Sequence, residues 1–154
     1  MKLILTVYLL ATILVIAQSE VDKEKKEIIS QFILGDALDF ASESLFERQI
    51  QSAMSSHPEV SDSVWESVRF YVDGKDSFKN AVIDLYANKL TIDELREIKK
   101  VLENPEMIKI EVIDKNPEMI KMQIVEKEVL ESIPTTEVKV GNEIINNINA
   151  YISK

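Results

Sequence analysis

The chain of 154 residues contains no cysteine, three glycines, four prolines and a single histidine. Without cysteine it has no disulfide bonds, no thiolate nucleophile and no cysteine ligands for zinc or iron–sulfur clusters. The shortage of glycine and proline leaves little room for a loop-rich or all-β architecture, because these residues dominate turns. A single imidazole cannot build a histidine-rich metal site. We therefore expect the protein to be stabilised by burial of an apolar core.

Acidic residues outnumber basic residues, 27 against 18, and the formal net charge at pH 7 is −9. A surface of this sign repels nucleic acid and anionic lipid headgroups, so we expect neither as a partner. The sequence also contains no G-x-S-x-G motif, no phosphate-binding glycine loop and no dinucleotide fingerprint. These features predict a protein that is not an enzyme and that binds no cofactor or metal.

The first residues carry the pattern of a secretory signal peptide. A positively charged start is followed by an uncharged run from Leu3 to Ala17, and Ala17 and Ser19 are the small residues of a cleavage site. We predict a signal peptide over 1–19 and a single exported domain over 20–154. A membrane-spanning helix needs roughly 20 apolar residues, and the run from Leu3 to Ala17 has only 15. We therefore expect this run to be a cleaved signal and expect no membrane insertion after cleavage. An uncleaved signal would instead tether the same domain to the membrane.

Apolar residues recur at helical spacing along most of the remaining chain. The residues expected on the buried stripes are Ile28, Ile29, Phe32, Ile33, Leu38, Ala41, Leu45, Ile50, Ala53, Met54, Val64, Trp65, Val68, Tyr71, Val72, Phe78, Val82, Leu85, Tyr86, Leu95, Ile98, Leu102, Ile144, Ile145, Ile148, Tyr151 and Ile152. A separate last helix is expected after Asn142. This pattern predicts an all-α fold, a bundle-like domain of about six helices.

Signals for the ends of helices lie between these stripes. Gly35 predicts a break between the first two helices, with Asp36 as the N-cap of the second. Gly74 is expected to adopt the left-handed conformation after the third helix. Thr91 and Glu94 have the spacing of a capping box, in which each side chain satisfies a free backbone N–H of the other residue.

The hexapeptide Asn-Pro-Glu-Met-Ile-Lys occurs twice, at 104–109 and at 116–121. Asparagine followed by proline and glutamate is typical of a helix start, so each copy predicts the beginning of a short helix. Apolar and polar residues also alternate within both copies, which is the period of a half-buried strand. The alternative fold class is therefore α+β, with a small hairpin at 107–125 and a third strand at 137–140.

With these residues placed, the chain resembles an exported bacterial family called domain of unknown function 2059. The segment from Ile28 to Gly35 resembles the early glycine-containing helix of that family, and Leu85 to Leu95 resembles its central Phe-Thr-x-x-Glu-Leu region. The best stretch reaches Pro105, where Asn-Pro stands in place of Ser-Pro. The resemblance implies an all-α fold and export to a bacterial periplasm or secretion. The family has no established activity, so no catalytic residue is implied.

Carboxylates paired at helical spacing are the most frequent candidates for chemistry. The pairs are Asp36 with Asp39, Asp93 with Glu97, and Glu103 with Glu106. Neighbouring acids can share a divalent cation, but a chain this acidic forms such pairs by chance, and we interpret them as a solvated face. The segment from Asp73 to Asp76 lacks the ligand spacing of a calcium loop and predicts a turn between helices. His57 is interpreted as a residue at a helix end.

Three of the four methionines after the predicted signal lie in or beside the duplicated segment; the four are Met54, Met107, Met119 and Met122. Methionine fills cores and also lines adaptable binding grooves, so an exposed apolar patch is expected on 105–130. These features predict a protein-interaction or structural role. The alternative is a carrier of a small apolar ligand or lipid, which needs an enclosed apolar cavity of roughly 300 Å³ or more.

Overall fold

The computed structural model describes residue 15, residues 17–104 and residues 113–153. Residues 17–28 are α-helical and continue in π-helical turns across Ile29–Leu34; together they form α1. The other helices are α2 (Ala37–Ser56), α3 (Asp62–Tyr71), α4 (Ser77–Ala87), α5 (Ile92–Glu103) and α6 (Pro117–Ile152). Every regular element in the described ranges is helical. The predicted all-α fold is confirmed.

The chain divides into two compact units, and each unit is assembled from two separate segments. Unit 1 takes the chain up to Ile33 together with Tyr86–Val125. Unit 2 takes Leu34–Leu85 together with Glu126–Lys154. The single domain predicted over 20–154 stays a prediction, as does the signal peptide, most of which lies outside the described residues. No helix in the described part of the chain is both long enough and apolar enough to cross a membrane.

The core of unit 1 is mainly aliphatic, with one buried tyrosine, and is built on the predicted stripe of α5. Leu95 and Ile98 are both fully buried, and burial of each such side chain contributes about 1.5–3 kcal/mol. Leu102 is only half-buried, because Val101 faces inward one position earlier. The other buried apolar residues of unit 1 are Ile28, Ile29, Tyr86, Leu90, Met119 and Val125.

The core of unit 2 contains the single tryptophan, Trp65, which is 2% exposed. Its other buried apolar residues are Leu38, Leu45, Phe46, Ile50, Ala53, Val68, Val72, Phe78, Val82, Ile83, Val129, Val140, Ile144 and Ile148. The stripes predicted for α2, α3 and α4 supply most of them. Tyr71 was expected on the α3 stripe but is 68% exposed, because it lies about a third of a turn around the helix from Trp65.

One buried hydroxyl connects α2 to the start of α4. Ser42 is 1% exposed, and its Oγ donates a hydrogen bond to the carbonyl oxygen of Lys75 at 2.6 Å. The same oxygen accepts a hydrogen bond from the backbone N–H of Lys79 at 3.2 Å. Ser42 therefore satisfies one backbone acceptor before α4 and one of the free backbone donors in its first turn.

The capping signals at α5 and α6 are confirmed. Thr91 Oγ1 accepts from the backbone N–H of Glu94 at 3.3 Å, and Glu94 Oε2 accepts from the backbone N–H of Thr91 at 2.8 Å. Asn116 Oδ1 accepts from the backbone N–H of Met119 at 2.9 Å, with Pro117 as the first helical residue. The second hexapeptide copy is thus a helix start, and the first copy from residue 105 onward lies outside the described residues.

The helix that begins at Pro117 is much longer than predicted. It runs for 36 residues and passes through Pro134 and Gly141, so the separate last helix predicted after Asn142 is wrong. The second strand and the third strand of the alternative hairpin are also wrong, because 120–124 and 137–140 are helical. Pro134 has no N–H to donate to the carbonyl oxygen of Leu130, yet buried residues on both sides hold the helix in place.

The three glycine and cap predictions around α2 and α3 have different outcomes. The break at Gly35 is confirmed, and this residue adopts the left-handed conformation at φ 53°. Asp36 occupies the N-cap position, but its side chain makes no capping hydrogen bond because its backbone is already helical. The left-handed conformation predicted for Gly74 is wrong. A Cβ atom at Gly74 would lie 3.1 Å from Ile144 and 3.2 Å from Phe46, so a larger residue would force these side chains to shift, and close packing favours glycine here.

Candidate functional site

A groove of about 560 Å³ lies in unit 1 between α1 and α5. Its lining is mostly charged, with Glu24 and Ile28 on α1 facing acids and bases of α5. The α5 residues that line it are Asp93, Arg96, Glu97, Lys99, Lys100 and Glu103. We call this region the charged groove.

Arg96 and Glu24 form a bidentate ion pair at the charged groove. Arg96 Nε donates to Glu24 Oε1 at 2.9 Å, and Arg96 Nη2 donates to Glu24 Oε2 at 2.7 Å. The hydrogen bond from Arg96 lowers the pKa of Glu24, and the same bond raises the pKa of Arg96. Arg96 Nη1 also lies 3.5 Å from Asp93. The guanidinium of Arg96 thus makes its paired hydrogen bonds with a carboxylate of the protein itself, in the geometry that could otherwise bind a ligand carboxylate.

The two lysines of the charged groove are also paired. Lys100 contacts Glu97 one turn earlier, and Lys99 Nζ lies 3.8 Å from Glu103 Oε1. Lys99 Nζ also lies 4.9 Å from the centre of the Phe32 ring, at the distance of a cation–π interaction. Because each cation has an anionic partner, this groove offers no spare positive charge to an anionic ligand.

Glu94 adds a further ion pair in unit 1. Its Oε1 lies 2.5 Å from Lys121 Nζ on α6, while its other oxygen completes the capping box with Thr91. The hydrogen bond from Lys121 is the largest cause of a lowered pKa for Glu94, followed by the bond from the Thr91 backbone. This carboxylate is therefore used to fix the start of α5.

A second groove, of about 260 Å³, lies in unit 2 where α3 and α6 end. Tyr71, Val72 and Asp73 line one side of it, and Asn147, Ala150 and Tyr151 of α6 line the other. Asn147 Nδ2 donates to the carbonyl oxygen of Asp73 at 3.3 Å and so joins the two sides. We call this groove, together with the adjoining ring of Phe70, the aromatic groove.

Phe70 and Tyr71 form an exposed aromatic pair at the aromatic groove. Their ring centres are 4.8 Å apart with an interplanar angle of 76°, the edge-to-face arrangement. Phe70 is 81% exposed and Tyr71 is 68% exposed. Phe70 was missed by the sequence analysis, although the usable signal is that it follows Val68 by about half a turn and precedes Tyr71, which places two adjacent rings at or beyond the edge of the buried face of α3.

The surroundings of the aromatic groove are negative. Asp73 and Glu66 are exposed, and neither carboxylate forms an ion pair with any described residue. Arg69 is close in sequence but is occupied, with its Nε 3.3 Å from Glu47 Oε2. The C-terminal ends of α3 and α6 add partial negative charge from their last carbonyl groups, and α6 has no basic residue in its last turn.

The contiguous apolar patch expected on 105–130 stays a prediction, but three large apolar side chains are exposed in the described part of that segment, Leu130 (59% exposed) among them. Ile120 is 40% exposed and Ile124, one turn later, is 55% exposed. Met119 is buried and Met122 is half-buried, so these two methionines pack inward in the manner of a core. Met107 lies outside the described residues.

The other residues singled out in the sequence have structural surroundings. His57 is the C-cap of α2, and its Nδ1 lies 3.3 Å from Glu59 Oε1. Asp39 pairs with Lys79 across two helices of unit 2, and the Asp73–Asp76 segment is a turn, as predicted. Within the described part of the chain no three potential ligands come together to hold a metal ion. Glu106 lies outside it.

Comparisons with known proteins add no assignment. No protein-family model, no curated protein and no solved structure matches the chain. The resemblance to domain of unknown function 2059 therefore stays a prediction, and function has to be argued from the surface of the molecule.

Proposed function

We propose that this is an exported, non-enzymatic protein that binds a partner protein through the aromatic groove. The observation that carries the proposal is the exposed edge-to-face pair of Phe70 and Tyr71 beside a groove. Aromatic residues each bury about 150–250 Å² and dominate the energetics of protein interfaces. Tyrosine in particular is enriched among the residues whose truncation weakens complexes most.

The shape of the aromatic groove supports this role. One polar contact across it is already formed, because Asn147 donates a hydrogen bond to the Asp73 carbonyl oxygen. Tyr71 extends from the last turn of α3, a helix anchored in the core by Trp65 and Val68. A ring on a fixed helix loses little conformational entropy on binding, which favours a productive interface.

The non-enzymatic part of the proposal is supported by the carboxylates of unit 1. Those that line the charged groove are held in ion pairs with neighbouring cations. An acid–base catalyst instead needs a desolvated group whose pKa is shifted towards the pH at which the enzyme works. The carrier of a small apolar ligand remains an alternative prediction. The two grooves found within the units are open and partly charged, unlike an apolar ligand cavity.

Export is part of the same proposal and has its own test. Cleavage after Ser19 leaves Glu20 as the first residue, and cleavage after Ala17 leaves Gln18. Intact-mass measurement of the protein isolated from the cell envelope of its native host distinguishes these products from the full chain. The full-length mass in that fraction would identify a membrane-tethered protein instead.

Native mass spectrometry of the protein purified from that compartment tests the interaction. We expect a stoichiometric protein complex with the original chain that is lost in the double variant Phe70→Ser/Tyr71→Ser. The matched control is Phe40→Ser, which removes a 76% exposed ring from α2 of the same unit, and it should retain the complex. An unchanged complex in the double variant, or no complex with the original chain, would reject the proposal.

A further inference from the structure

We propose that the aromatic groove receives a lysine or arginine side chain of the partner protein. The inference rests on the proposed function, because it names the chemistry of the group that the partner presents. It is carried by the coincidence of two tyrosine rings, one unpaired carboxylate and two helix C-termini around a single opening.

Among the described residues, the acids at this opening form no ion pair that would balance their negative charge. Asp73 is one of the residues that line the groove, and its carboxylate forms no ion pair within the described residues. Glu66 lies one helical turn before Phe70, on the same side of α3. Arg69 is the basic residue in the last turn of α3, but its guanidinium is bound to Glu47 and lies 3.9 Å from Met54 Sδ.

The aromatic rings add cation–π attraction to the negative charge at the groove. A guanidinium or ammonium group is attracted to the face of a tyrosine or phenylalanine within about 6 Å of the ring centre. Tyr71 and Tyr151 line opposite sides of the groove, and Phe70 packs its ring against Tyr71. The long methylene stem of arginine or lysine packs well on such rings while its charged head reaches a carboxylate.

The alternative occupants fit less well. A neutral apolar side chain would bury the rings but would also remove water from Asp73, and an anion desolvated without a partner is strongly unfavourable. An acidic side chain would be repelled by Asp73 and by both helix ends. The volume of about 260 Å³ is sufficient for one long side chain.

Two peptides that differ only in charge test the inference directly. The probes are acetyl-Gly-Leu-Arg-Leu-Gly-amide and the same peptide with citrulline, which is nearly isosteric with arginine but neutral. Each is titrated into ¹⁵N-labelled protein at low ionic strength, and backbone amide shifts are followed. We expect the arginine peptide to shift the amides of Asp73, Asn147 and Tyr151 with a dissociation constant on the order of 1 mM. The citrulline peptide should bind at least about tenfold more weakly.

Two variants locate the effect. Asp73→Asn should reduce the preference for arginine to about twofold or less, whereas Glu97→Gln, the same charge change in unit 1, should leave it unchanged. Tyr71→Leu should weaken arginine binding about threefold or more, since it keeps apolar surface but loses the ring. The dispersed amide spectrum of each variant reports its folding in the same experiment.

The results separate the inference from the proposed function. Equal binding of the two peptides, or shifts that map outside the aromatic groove, would overturn the inference. If the complex seen by native mass spectrometry still depends on Phe70 and Tyr71 in that case, the proposed function stands. If the arginine peptide binds as expected but the complex does not depend on these rings, the proposed function fails and the cation site remains.

Discussion

The charged groove and the aromatic groove differ in how many of their polar and apolar groups already have partners within the protein. The charged groove of unit 1 is the larger, yet its arginine and lysines are bound to acids of the same unit. The aromatic groove of unit 2 is less than half that volume, but it exposes two large rings and a carboxylate without an ion pair. Volume alone would favour the charged groove as the binding site, whereas the exposed rings and the carboxylate without an ion pair favour the aromatic groove.

The comparison shows that ion pairs within a protein can leave a charged groove without unpaired groups for a ligand. Exposed ion pairs contribute about 0–1 kcal/mol each to stability, and a ligand that displaced them would have to replace every contact. Exposed aromatic rings impose no such penalty on a partner, because covering them removes apolar area from water. We therefore propose a structural role for the charged groove and an interaction role for the aromatic groove.

The largest expected effects on the free energy of unfolding come from core truncations, and we expect a loss in both units. Ile98→Ala in unit 1 and Ile144→Ala in unit 2 each remove a fully buried side chain. Each should lower the free energy of unfolding by about 2–5 kcal/mol through lost burial and a residual cavity. Urea unfolding followed by circular dichroism measures the loss. A change below about 1 kcal/mol in one unit would mean that its core is not packed as described.

Loss of the buried hydroxyl of Ser42 should have the next largest effect. Ser42→Ala leaves the carbonyl of Lys75 and the N–H of Lys79 without their partner, and we expect a loss of about 1–3 kcal/mol in the free energy of unfolding. Ser52→Ala is the control, because Ser52 lies exposed on the same helix, and it should stay within about 0.5 kcal/mol. Equal effects of the two substitutions would contradict the bridging role.

Glycine substitutions in unit 2 should have opposite signs. Gly74→Ala places a Cβ against Phe46 and Ile144, and overpacking of this kind reduces stability by about 1–3 kcal/mol. Gly141→Ala meets only the end of the Gln49 side chain, which can move. Since alanine favours a helix interior by about 0.5–1 kcal/mol over glycine, this variant should be neutral or stabilised. Thermal unfolding of both variants checks the sign, and destabilisation of Gly141→Ala beyond Gly74→Ala would contradict it.

The smallest expected effect on stability is pH-dependent and belongs to Glu94. Its pKa is lowered in the folded state by Lys121 and Thr91. Its contribution is therefore complete above the ordinary value of 4.5 and is lost as the pH falls through the lower folded pKa. Relative to Glu94→Gln, we expect an advantage of about 1 kcal/mol at pH 6 that shrinks at pH 3. Urea unfolding at both pH values measures it, and an advantage that grows on acidification would contradict the assigned direction.

Local sequence was sufficient at two helix starts, where the capping residues and their partners are close in the chain. The capping box at Thr91 and the helix start at Asn116 depend on residues three apart, and both are confirmed. The length of α6 was not accessible in this way, because Pro134 and Gly141 normally weaken a helix. Buried residues such as Val129, Val140 and Ile144 override that local preference through tertiary packing.

The aromatic groove lay beyond sequence reasoning for a related reason. Its two sides are distant in the chain, since Asp73 and Asn147 meet only through the fold. Tyr71 lies at the edge of the apolar stripe of α3, where the helical spacing alone does not show whether a side chain is buried or exposed. The role of Gly74 was equally hidden, because the space that it leaves is defined by Phe46 and Ile144 from two other helices.

The most direct test of the central claim compares the two grooves in one measurement. A benzophenone amino acid is placed at position 71 in the aromatic groove or at position 100 in the charged groove, and the yield of photo-crosslinked partner protein is measured in the native host. We predict a protein adduct at position 71 and at least about a fivefold lower yield at position 100, consistent with a contact restricted to one interface. Equal yields, a higher yield at position 100, or no adduct at position 71 would contradict the account.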